Sequence, residues 1–255
     1  MKKDGRLDFD NVFIFSHSQE GTTGTDDELF DFVKDKVTVT RMFKFPFMYS
    51  SDGAIRGRFA DSGGDSFFKS KIKFYKPQVL SYVKDVLYAC HYCRKYIKNN
   101  SLIVCTDNIL VVAISIPVFF ARLFKKKIKI VYQVIDYTPR RFKNSLLNSV
   151  YEWIDKKAFE KTDFVWVLNK KMIDGRVEDK GYPLRENNIL VVPFGNNSNK
   201  YKDSDFKKFN LNNIAYLGGV FKSKGSELFT GIVKELVGRG HKNIVLHVVG
   251  GGDIE

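Results

Sequence analysis

The chain has 255 residues, 44% of them hydrophobic and 15% aromatic, enough to bury the core of one large or two modest globular domains. Its 42 lysines and arginines against 29 acidic residues leave a formal charge of +13, which favours an anionic partner; the basic residues form short clusters outside any nucleic-acid-binding motif, so phosphorylated small molecules or an anionic membrane face fit better than nucleic acid. Three cysteines are too few for a disulfide framework, and a charged Met1–Asp10 segment followed by a short apolar run is no signal peptide, so a cytoplasmic protein is expected.

A strand is expected at Asn11–Phe15, then the loop Ser16–Gly24 and a helix at Thr25–Lys34, with Thr25 or Asp26 as its cap. Ligands of open α/β sheets bind beyond the carboxyl ends of the strands, which makes His17, Gly21 and Gly24 candidates for lining a crevice. The loop lacks a complete G-x-G-x-x-G, so that reading rests on position. Asp8-Phe9-Asp10 imitates a metal-binding D-x-D but precedes the strand that would scaffold it, and no metal is expected. After a strand at Lys36–Thr40, the polar, glycine-rich stretch Pro46–Ser66 reads as a mobile loop.

The helix expected at Pro77–Lys98 contains Cys90-His91-Tyr92-Cys93, which lacks the second ligand pair of a zinc site and the strand-to-helix setting of a redox pair. Core packing explains it better. A strand at Leu102–Cys105 leads into the apolar run Ile109–Phe124, which is interrupted by Pro117 and Arg122 and too short to span a bilayer. A buried helix is expected there. Strands at Ile128–Val134, Phe164–Leu168 and Ile189–Val192 then alternate with helices at Ser145–Lys161 and Lys170–Lys180. This alternation predicts an α/β, Rossmann-like domain with a parallel sheet. A polar stretch from Pro193 to Asp205 breaks the pattern. The expected division is a first domain at 1–195, a linker at 196–212 and an incomplete second Rossmann-like domain at 213–255.

That last segment reads as a strand at Ile214–Leu217, a glycine turn from Gly218 to Gly225 bearing Lys222 and Lys224, a helix from Ser226 to about Val237, and a second strand at Asn243–Val249. The second strand runs into Gly250-Gly251-Gly252-Asp253. Backbone N–H groups, the positive end of a helix and an ammonium converge on one anion at such a turn, so it is a candidate phosphate site; the plain alternative is a solvated surface turn. His247, within the second strand, is expected to be structural. No catalytic triad and no Walker A lysine can be argued from spacing.

Together, Ala215 to Gly225 and Val245 to Asp253 resemble the donor-side start of glycosyltransferase family 4, retaining enzymes of the two-Rossmann GT-B architecture. Ile189 to Asn196 is similar to that family's strand leading into the interdomain linker, and Val131 to Pro139 to its strand ending in a His-Asp pair. The stretch from Asp136 to Met172 resembles glycosyltransferases of bacterial capsule and cell-surface polysaccharide synthesis. The resemblance implies a hexosyltransferase-type enzyme that moves a sugar from a nucleotide-sugar donor to a glycan or lipid-linked acceptor, without a cofactor. It implies a donor-diphosphate site at Gly218, Gly219, Lys222, Lys224 and Gly225, nucleotide contacts from Gly250, Gly251, Gly252 and Asp253, and an acceptor crevice at His17, Gly21, Gly24 and Asp136. Two positions depart from the family: Gly219 stands where it has an arginine, and Ile135 where it has a histidine. The family's acidic Glu-x7-Glu region is expected beyond residue 255, so the chain reads as C-terminally truncated. A catalytically inert acceptor- or partner-binding module is the alternative. A nicotinamide-dependent enzyme is disfavoured by the missing dinucleotide fingerprint. The basic and aromatic residues from Phe119 to Lys125 are expected to allow peripheral association with the inner face of the plasma membrane.

Overall fold

A computed structural model describes residues 7–18, 25–46, 56–61, 64–69, 78–138, 140–183, 186–193, 212–218, 220, 225 and 228–251. The chain divides into two compact units, Met1–Gly195 and Asn196–Glu255.

The first unit is built on a sheet whose central strands are β1 (Asn11–Ser18), β5 (Ser101–Cys105) and β6 (Ile128–Val134). Beside them lie β2 (Val39–Pro46), β7 (Phe164–Val167) and β8 (Ile189–Val191), and at one edge β3 (Arg56–Asp61) and β4 (Gly64–Lys69). The order is β4-β3-β2-β1-β5-β6-β7-β8. The six strands from β2 to β8 in that order are parallel, while β3 and β4 join them antiparallel. Helices cover both faces, which is why β1 is a continuous apolar run and not an alternating one. Val12 and Ile14 pack on one side with Val33, Leu29 and Phe30 of α1 (Thr25–Val33). Phe13 and Phe15 pack on the other side, in a core shared with α2 (Gln78–Tyr96), α3 (Asn108–Leu123), α4 (Ser145–Lys161) and α5 (Lys171–Glu178).

Local chemistry sets the helix ends. Asp107 caps α3 by accepting from the Ile109 and Leu110 amides, and Asn144 caps α4 by accepting from the Leu147 amide. Past the end of α3, Lys125 takes a φ of 59°, the left-handed geometry that closes helices. Pro117 lies inside α3 and has no amide to offer the Ala113 carbonyl one turn back. Cys90 Sγ, 3.2 Å from that oxygen, donates in its place. Cys93 is buried, and burial raises the thiols of Cys90 and Cys93 alike. Both side chains serve the α2–α3 contact, as core packing required.

Three expectations need correction. The second strand is Val39–Pro46, not Lys36–Thr40: Met42, Phe43 and Phe45 are buried, and the intervening Lys44 is tolerated because two carboxylates meet it. The stretch Pro46–Ser66 is not loop throughout, because β3 and the start of β4 pair within it as an antiparallel hairpin. The apolar run of α3 is buried along one side only; Ile116, Phe119, Phe120, Leu123 and Phe124 are exposed. No described helix is long and apolar enough to cross a membrane.

The second unit has β9 (Asn213–Leu217), α6 (Leu228–Gly238) and β10 (Val245–Val249), the two strands parallel and in register from Asn213 with Val245 to Leu217 with Val249. Tyr216 packs against Phe229 of α6 with the rings tilted and their centroids 4.4 Å apart, fixing helix to strand. His247 on β10 is exposed.

Candidate functional site

The connection from β1 runs outward to β2, whereas that from β5 runs the other way to β6. The strand order therefore reverses between β1 and β5, the place where open α/β sheets hold ligands beyond their carboxyl ends. Polar clusters gather there on both sides of β1.

On the α2–α3 side, His17 Nε2 lies 3.3 Å from Asp85 Oδ2, and His17 Nδ1 lies 3.7 Å from Asp107 Oδ2. The imidazole is 4% exposed and tilts against the Phe45 ring. Burial opposes its protonation, but the Asp107 and Asp85 carboxylates outweigh burial and raise it to about 9, so His17 is cationic at neutral pH. Burial likewise opposes the Asp107 charge, and the imidazolium with two α3 amides holds its carboxyl below the ordinary range. The cluster ties the end of β1 to α2 and to the first turn of α3. His17 is thus a buried brace at the carboxyl end of β1.

On the α1 side, Ser16 Oγ donates to Asp26 Oδ2 at 2.7 Å, and Lys44 Nζ reaches Asp26 at 3.2 Å and Asp27 at 2.5 Å. Thr25 Oγ1 accepts from Gln133 Nε2 at 3.1 Å, while the buried Gln133 Oε1 has no hydrogen-bond partner among the described residues. The first turn of α1 carries Asp26, Asp27 and Glu28. Three carboxylates at a helix start occupy the positive end that a dinucleotide pyrophosphate would need. Ser16, Asp26 and Lys44 are 1%, 5% and 7% exposed, so this cluster ties the start of α1 to β1 and β2.

Asp136 follows β6 with its side chain 56% exposed and ion-paired to Arg141, so it stands open at the sheet's carboxyl edge. Ile135, beside it, is 45% exposed. Beneath them a closed polar knot holds α4 and α5 to β6. Asp155 accepts from Tyr132 at 2.8 Å, from Arg176 Nε at 2.9 Å and from Tyr182 at 3.2 Å, and Arg176 Nη2 donates to the Asp136 carbonyl at 3.2 Å. Asp155 and Arg176 are each 3% exposed. Nothing in the sequence announced this knot, because Asp155 and Arg176 meet only through the packing of two helices. The same holds for Asp85, Asp107, Lys44 and Gln133, which sequence spacing could not bring to the crevice.

In the second unit, Gly218 follows β9 and Gly250 follows β10. Their turns are laced by Gly218 N to Val249 O and Val220 N to Gly251 O, both 3.0 Å. A Cβ on Gly250 would sit 1.8 Å from the Gly218 carbonyl oxygen, so only glycine permits this approach. Gly218 has a φ of +147° and Gly225, just before α6, a φ of +71°. The structure thus brings Gly218, Gly250 and Gly251 together at the carboxyl ends of two parallel strands, with Gly225 ahead of the helix. Gly219, Lys222, Lys224, Gly252, Asp253, Gly21 and Gly24 lie outside the described residues. Among the described residues, no group of histidine, cysteine or acidic side chains is placed to hold a metal ion.

No protein-family model matches the chain, and no curated protein sequence matches it. Solved structures do. The catalytic domain of starch synthase IV from Arabidopsis thaliana, bound to ADP and acarbose, matches with a TM-score of 0.57 at 9% identity, over 95% of this chain and 69% of that one. The α,α-trehalose 6-phosphate synthase from Burkholderia multivorans matches with a TM-score of 0.56 at 12% identity, over 96% of this chain and 64% of that one. The chain therefore spans about two thirds of the length of each. At such identities the likeness is one of fold: an α/β, Rossmann-like chain of the kind found in GT-B glycosyltransferases.

Proposed function

We propose that the chain binds a nucleotide-sugar donor through its second unit and takes part in transferring the sugar to an acceptor at the crevice of the first. The observation that carries this reading is the pair of glycine turns after β9 and β10, where Gly218 and Gly250 lie backbone to backbone at the strand ends. Glycines at these strand ends let a diphosphate approach the backbone closely, and the sequence adds Lys222 and Lys224 between Gly218 and the start of α6. The leaving nucleoside diphosphate gains negative charge as the glycosidic bond breaks. Cations and amides fixed around it then bind the transition state more tightly than the ground state.

In this reading Lys224 is the principal diphosphate cation and Lys222 supplements it where Gly219 provides no side chain. Gly251, Gly252 and Asp253 approach the nucleotide. Gly21, Gly24 and Asp136 line the acceptor side, with His17 as the buried brace at the end of β1. Retention at the anomeric carbon, membership of glycosyltransferase family 4, and a role in surface polysaccharide synthesis with a glycan or lipid-linked acceptor belong to the same proposal and rest on the sequence resemblance. The test is a panel of nucleotide sugars assayed for hydrolysis and transfer. Turnover with one donor, reduced about 10²-fold by Lys224→Ala, supports the reading; a chain that turns over none is a catalytically inert acceptor- or partner-binding module.

A further inference from the structure

We infer that the outer groove between α2 and α3, with the aromatic end of α3, is a docking surface for an anionic lipid bilayer. The groove has a volume of about 720 Å³ and is lined in part by Cys90, Arg94, Pro117, Phe120, Phe124 and Lys126. Helix α3 already commits one apolar stripe, Leu110, Val111, Ile114, Val118 and Ala121, to the core. A second stripe, Ile116, Phe119, Phe120, Leu123 and Phe124, follows the same helical spacing on the opposite side and is 56–80% exposed. A helix apolar on both sides needs cover on both.

Charge selects the cover. Lys125, Lys126 and Lys127 follow the aromatic residues directly, and His91 and Arg94 face them from α2. Among the described residues no carboxylate lines the groove, and nearby Asp163 is engaged by Arg122 and Lys129. Aromatic side chains that stand out from a helix end, with flexible ammonium groups immediately behind, match the acyl–headgroup boundary of an anionic membrane: rings enter the boundary while lysines reach lipid phosphates. An acidic protein would satisfy the lysines but would need a pocket for Phe124, which is 80% exposed. The surface lies at the sheet's amino edge, where α3 ends, and its function does not depend on the sugar-transfer reading.

The experiment is flotation of the full chain with vesicles of phosphatidylcholine alone or mixed with phosphatidylglycerol, without nucleotide. Binding to the mixed vesicles, weakened by salt and absent with phosphatidylcholine alone, is expected. Phe120→Ser with Phe124→Ser should lower partition about tenfold or more, since both rings leave the boundary. Lys125→Gln with Lys126→Gln should do the same. Unchanged thermal melting confirms that each variant is folded. No binding to mixed vesicles, equal binding to both kinds, or binding indifferent to the substitutions overturns the inference. Capture by polyglutamate that is lost in the same variants, with no vesicle binding, assigns the surface to an acidic protein instead.

Discussion

At the carboxyl end of β1, an imidazole is held between two carboxylates, and this contact makes a pH-dependent claim. His17 titrates near 9 in the folded chain against roughly 6.5 in an unfolded one. Its contribution to stability is therefore complete below about pH 6.5 and is lost as pH rises through about 9, on the order of 3 kcal/mol. Melting temperature should fall between neutral pH and about pH 10, and His17→Gln should flatten that fall; parallel profiles for the two proteins would show that the imidazole is not cationic. Asp155→Ala makes a different claim. It leaves Arg176, 3% exposed, without its carboxylate, and should cost about 3–5 kcal/mol in a urea titration. Asp155→Asn, which keeps part of the hydrogen bonding, should cost less. The sequence reading put His17 in a loop past the first strand, whereas β1 runs on to Ser18 and buries the imidazole. The sequence was silent on Asp85, Asp107 and Asp155, because nothing local distinguishes a carboxylate that long-range packing buries from one that water solvates.

At the scale of elements, the strand–helix alternation was legible because the buried parallel strands are short apolar runs separated by longer helical patterns; Thr25 and Asp26, expected to cap α1, lie inside it. The second strand was misplaced for a physical reason: a lysine within the run Met42–Phe45 weakens its apolar signal until Asp26 and Asp27 are known to neutralise it. The hairpin of β3 and β4 was missed because its glycine-rich, charged sequence carries little strand signal of its own. The proline in α3 was read as an interruption, but the thiol of Cys90 satisfies the carbonyl it leaves free. The glycine turns of the second unit yield a sharp prediction. Gly250→Ala forces a methyl group to 1.8 Å from the Gly218 carbonyl, and backbone must move. A cost of about 1–3 kcal/mol should appear as faster hydrogen exchange at the β9 and β10 amides, with the first unit unaffected. Unchanged exchange would mean that the two turns do not touch.

Over the whole molecule, the two units divide the proposed work between an acceptor crevice and a donor turn. Part of the positive surplus falls at the two surfaces proposed to meet anions, Lys222 and Lys224 in the one and Lys125 to Lys127 in the other. The docking surface lies a helix length, about 24 Å for the 16 residues of α3, from the crevice edge of the same unit. An acceptor carried by the bilayer would have to bridge that span, which favours an extended glycan over a short one. In the proposed function a nucleoside diphosphate sugar binds at the Gly218–Gly225 turn through Lys224. This binding is tested most directly by calorimetric titration of the full chain with a panel of nucleotide sugars, repeated on Lys224→Ala. Saturable binding of at least one donor, weakened about tenfold or more by the substitution, is expected. Binding of none, or binding that Lys224→Ala leaves unchanged, would contradict it.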